Sequence, residues 1–281
     1  RHWSREDGPA GGLSAHGRGD RRSLERRLNP LTRFLAAAAA VWVGSWLPLG
    51  LWVGDWDYAL TPASRDTLGR QIYQILFYGG LLAVFGWSWR KDPPARPGWG
   101  SVRLFLFFFI QGLLATAVFR WILYSLGYAQ WQLSEQTLLF WAQVLLSCLV
   151  VGLVEEAVFR GFLLGHLVAG LGWRRGVWLT SLIFALVHLF RPGPLQFKVC
   201  YGVGLLLLGY LLARLAWHHN AVGASAGFHA GIILFNIATT LTAFEANVLA
   251  GWNHEPVSGL LSWLLTLGFL VLWQQTMSRK L

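Results

Sequence analysis

Between Thr137 and Gly172 the only formally charged residues are Glu155, Glu156 and Arg160, set together inside an otherwise uncharged, largely apolar run. Crossing ~30 Å of hydrocarbon takes about 20 apolar residues in a helix, so this run is long enough to span a bilayer. Seven further apolar stretches accompany it. We place the eight near 34–53, 71–89, 103–126, 137–159, 176–190, 199–217, 222–243 and 257–275. They are continuously apolar and do not alternate, which argues against a β-barrel. Only 13% of the residues are charged, against about 25% in soluble domains. The expectation is an all-α, polytopic membrane helical bundle of about eight transmembrane helices, forming one domain over 34–281.

Residues 1–33 are rich in Gly and Arg and lack an apolar core, so they are expected to be a flexible basic cytoplasmic arm and not a signal peptide. The net charge of +10 is explained by this arm and the short loops, and calls for no nucleic-acid partner. Loop charges set the orientation. Asp55, Asp57 and Asp66 stand against Arg65 and Arg70 in the first loop. Arg90, Lys91, Arg96 and Arg103 occupy the second, Glu135 the third, Arg174 and Arg175 the fourth. Glu245 and Glu255 lie in the seventh, and Arg279 and Lys280 close the chain. Both termini are therefore expected in the cytoplasm, with the bacterial inner membrane as the location. Arg191 and Lys198 in the fifth loop dissent. Cys148 and Cys200 fall in apolar segments and suggest neither a disulfide framework nor a zinc cluster.

Ionisable groups inside a membrane are expensive and mark functional sites. Glu156 and Arg160 stand i,i+4 and can pair; Glu155 points about 100° away and lacks that partner. Three more polar features lie within spans: His188, with Phe184 one turn before it; His229; and Asn236, two turns after His229 on nearly the same face. With the orientation above, Glu155 lies ~27 Å inward along its span, and His188 and His229 lie ~18 Å and ~10 Å from the cytoplasmic ends of theirs. All three converge in the cytoplasmic half of the bilayer. One Glu and two His activate water by either of two routes. Glu155 acts as general base while a His stabilises the oxyanion, or Glu155, His188 and His229 hold a divalent metal such as zinc. A buried ion network that only fastens helices is the bland alternative.

Glu155-Glu156-x-x-x-Arg160, Phe184-x-x-x-His188 and the intramembrane His229 resemble, in order and spacing, the motifs of the CPBP family. These are the CAAX-protease and bacteriocin-processing (Abi) intramembrane endopeptidases, related to type II CAAX prenyl proteases. The similarity covers roughly 137–243. It implies an eight-helix membrane endopeptidase in which Glu155, His188 and His229 are the essential groups, supported by Glu156 and Arg160. Family members often carry Asn four residues after the last His; here that position is Ile233, leaving Asn236 as the substitute. The substrate implied is a membrane-associated protein or peptide: a prenylated C-terminus, a bacteriocin leader or a C-terminal sorting anchor. A non-catalytic immunity or maturation scaffold is the rival from another class.

Overall fold

Eight long helices follow one another through the chain in a computed structural model that describes residues 15–53, 67–94, 97–133, 137–189, 193–241, 247–252 and 255–278. They are α1 (Ala15–Val53), α2 (Thr67–Lys91), α3 (Val102–Ser125), α4 (Leu138–Leu171), α5 (Trp173–His188), α6 (Leu195–His218), α7 (Val222–Ala238) and α8 (Leu260–Ser278). Each coincides with one expected span. Five carry segments long and apolar enough to cross a membrane, within α1, α2, α3, α4 and α6; α7 and α8 contain shorter apolar segments. The protein is an integral membrane protein built as a polytopic helical bundle. Residues 1–14, the first-loop charges Asp55, Asp57, Arg65 and Asp66, and Glu135, Arg191, Glu245, Arg279 and Lys280 lie outside the described residues.

The chain's own capping chemistry sets several boundaries. Ser101 and Thr137 are N-caps whose hydroxyls accept from the backbone N–H of Leu104 (3.2 Å) and Phe140 (3.3 Å), opening α3 and α4. Gly172, at φ 81°, ends α4 and turns directly into α5, a conformation that costs glycine least. Three boundaries differ from expectation. Helix α1 begins at Ala15, inside the stretch read as a flexible arm. Its residues near 33 are tied down: Leu31 and Phe34 are buried, and Arg33 pairs with Asp92 at 2.7 Å. Helix α4 continues past 159 to Leu171 through a π-helical segment, Ala157–Leu163. Helix α7 stops at Ala238, because Thr239–Leu241 pairs as an antiparallel strand with Trp131–Leu133.

The bilayer is legible on α3. Phe107, Ile110, Leu114, Val118 and Trp121 form an exposed apolar stripe, while Phe108, Gly112, Thr116, Phe119, Arg120 and Leu123 are buried. A helix apolar on both faces needs protein on one side and lipid on the other. The buried side packs most extensively on α7. A Cβ at Gly227 or Gly231 would collide with the carbonyl oxygen of Phe105 or Phe109, and one at Gly112 with that of Phe228. Small residues thus bring the two backbones together, as membrane interfaces favour. Phe108, Leu211, Leu212, Leu215, Phe228 and Leu270 join α3, α6, α7 and α8 in one core cluster. The result is a rigid setting for α7, which carries His229.

Candidate active site

The charged motif sits where α4 leaves regular geometry. Glu155 and Glu156 close its α-helical part, and Arg160 lies in the π segment that follows. Such π turns occur frequently at functional sites. Arg160 Nη1 donates to Glu156 Oε1 at 2.7 Å, and both side chains are 0% exposed. Arg160 Nη2 donates to the carbonyl of Gly209 on α6 at 3.1 Å. Glu156 Oε1 also meets His229 Nδ1 at 3.0 Å, which joins α4 to α7. The guanidinium stacks over the Phe184 ring, 4.4 Å from its centroid. One buried knot therefore links α4, α5, α6 and α7. Without a partner, either charge would be very costly there.

Glu155 faces a different environment, as the 100° step requires. Its Oε2 lies 3.8 Å from His188 Nε2, and the two side chains remain 15% and 26% exposed. Its Oε1 accepts from the Tyr78 hydroxyl on α2 at 3.3 Å. His188 Nδ1 lies 2.7 Å from the carbonyl oxygen of Phe184, one turn earlier in α5. A carbonyl only accepts, so Nδ1 carries the proton and Nε2 faces Glu155. His229 is anchored in the same way, its Nδ1–H donating to Glu156 and its Nε2 left to the site. Anchoring one ring nitrogen fixes which nitrogen does the chemistry. Phe184 lies between them, with ring centroids 4.6 Å from His188 and 6.0 Å from His229.

Two pairs are thus formed: Glu156 is hydrogen-bonded to His229 at 3.0 Å, and Glu155 faces His188 across 3.8 Å. Among the described residues, no group of three His, Cys, Asp or Glu is placed to hold a metal ion, Glu155, His188 and His229 included. The imidazole orientations would suit a metal, but the donor set does not gather around one point. Asn236 lies two turns beyond His229, ~10 Å along the axis of α7. Its Oδ1 accepts from Arg120 Nη2 at 3.1 Å, which leaves its amide hydrogens as the donors it can offer. Ile233 remains apolar and partly buried.

Tyr78 and Arg120 escape a motif-based selection. Tyr78 carries no signal beyond a hydroxyl in an apolar helix. Arg120, only 5% exposed, is a charge inside a span and meets the same criterion as Glu155. A further histidine is structural in its contacts: His166 meets the carbonyl of Asp92 at 3.1 Å and packs on Phe162. His254 lies outside the described residues.

Fold and site together define a polytopic membrane protein with a glutamate–histidine centre buried between helices. A family model described as type II CAAX prenyl endopeptidase Rce1-like matches residues 137–235. That segment holds Glu155, Glu156, Arg160, Phe184, His188 and His229, so the resemblance to the CAAX-protease family stands, and it implies a protease. Comparisons with curated proteins and with solved structures give no match.

Proposed function

We propose that this protein is an intramembrane endopeptidase that hydrolyses a peptide bond of a membrane-associated protein or peptide near the cytoplasmic face, with Glu155 as general base. The observation that carries this reading is the Glu155–His188 pair. Its 3.8 Å separation is too long for a hydrogen bond, yet a water ~2.8 Å from both atoms fits between them at an angle of ~85°. Tyr78 holds the other carboxylate oxygen and orients Oε2 towards that water. Glu155 takes a proton as the water oxygen attacks the carbonyl carbon, then returns it to the leaving nitrogen. His229, fixed through Glu156, presents Nε2 to the carbonyl oxygen; carrying its proton, that nitrogen stabilises the oxyanion. Asn236, oriented by Arg120, is a donor further along the peptide. Glu156 and Arg160 hold the site without taking part in proton transfer.

The test is processing of a membrane-anchored reporter peptide by purified protein in liposomes, with Glu155→Gln beside the wild type. Loss of cleavage with unchanged substrate retention supports the hydrolase. Retention without cleavage by the wild type, unaffected by Glu155→Gln, would favour a scaffold.

A further inference from the structure

We infer that the groove between the end of α4, α5 and α6 is a binding site for an anionic phospholipid of the surrounding bilayer. The groove is open on one side, offers about 490 Å³ and is lined by Leu171, Arg175, Trp178, Leu179, Leu182 and Leu206. Its volume falls within the ~300–1,000 Å³ typical of small-ligand clefts. Five of its six walls are hydrocarbon or aromatic; the sixth is a cation. Arg175 is exposed and makes no ion pair among the described residues. Trp178 packs against Tyr210 with ring centroids 4.8 Å apart. Arg214 donates to the Tyr210 hydroxyl at 3.3 Å. Two arginines therefore flank one aromatic pair at the same end of the bundle, since Arg175 stands near the start of α5 and Arg214 near the end of α6.

This order of groups matches the order of groups in a phospholipid. The leucines of α5 and α6 accept an acyl chain, the Trp178–Tyr210 pair sits at the ester level, and Arg175 meets the phosphate. Basic pockets between transmembrane helices on the cytoplasmic side bind anionic head groups, and the loop charges assign this end of α5 to the cytoplasm. A zwitterionic lipid would fill the same groove but place a second cation near the arginines. The occupant is a membrane lipid and not the peptide substrate, so the site stands independently of the catalytic reading.

The experiment is native mass spectrometry of the full chain in detergent, supplied with equimolar phosphatidylglycerol and phosphatidylcholine of identical acyl chains. The wild type should retain the anionic lipid about fivefold more than the zwitterionic one, the scale of one basic residue near a charged head group. Arg175→Gln should bring the ratio close to one. Arg174→Gln, beside it but outside the groove, should leave the ratio unchanged. Leu182→Trp, which fills the groove at an exposed position, should lower retention of both lipids. Equal retention by the wild type, or an equal loss in Arg174→Gln and Arg175→Gln, would overturn the site.

Discussion

Glu156→Gln is the change that most directly separates the ion-paired carboxylate from the proposed general base. It leaves the Arg160 guanidinium 0% exposed with no compensating charge, held only by neutral acceptors, the new amide oxygen and the carbonyl of Gly209. It also takes the charge from the acceptor that anchors His229. Breaking a buried pair by removing one partner costs ~3–5 kcal/mol. Glu155→Gln keeps a carbonyl oxygen for Tyr78 in a partly exposed setting, where one hydrogen bond is worth ~0.5–1.5 kcal/mol. At ~2–4 °C per kcal/mol, thermal unfolding in detergent should fall by on the order of 10 °C for Glu156→Gln and by a few degrees at most for Glu155→Gln. Replacing both partners, Glu156→Leu with Arg160→Leu, should recover part of the loss, since well-packed apolar pairs substitute for buried ion pairs at little cost. The ion-pair argument fails if Glu155→Gln is the more destabilising change, or if the double variant is worse than Glu156→Gln.

Glu155→Ala, His188→Ala and His229→Ala should each abolish reporter cleavage while the protein still accumulates in the membrane. Their effects should be non-additive, as for residues acting as a unit, and wild-type cleavage should survive a membrane-permeant chelator; restoration by zinc after chelation would refute the metal-independent route. Gly227→Ala and Gly231→Ala force α7 away from α3, at about 1–3 kcal/mol each. Gly268→Ala, with nothing near its added Cβ, should be neutral; unfolding midpoints of the three variants check this contrast. Tyr78→Phe should lower the cleavage rate without changing substrate retention, and an unchanged rate would remove Tyr78 from the site. Cysteines placed at Ser101 and Val248 should be labelled from opposite sides of the membrane; labelling from one side would sink the eight-span topology.

The number and order of helices were legible in the sequence, because a hydrophobic run must be satisfied by its own backbone hydrogen bonds in lipid, whatever its neighbours are. The Glu156–Arg160 pair was legible for the same local reason, since i,i+4 spacing brings the two together on one helix even where a π turn follows. Ser101, Thr137 and Gly172 likewise act within their own turns. What the sequence left open were the contacts between helices. That Glu156 also holds His229, that Tyr78 reaches Glu155, and that Arg120 binds Asn236 depend on which faces of α2, α3, α4 and α7 meet. Those faces are chosen by glycines such as Gly112, Gly227 and Gly231, which matter only once a second backbone lies against them. The separation of two carboxylates into a buried, ion-paired one and a partly exposed one follows from a 100° helical step. Only the packing of α2, α5 and α7 around that step decided what each carboxylate meets.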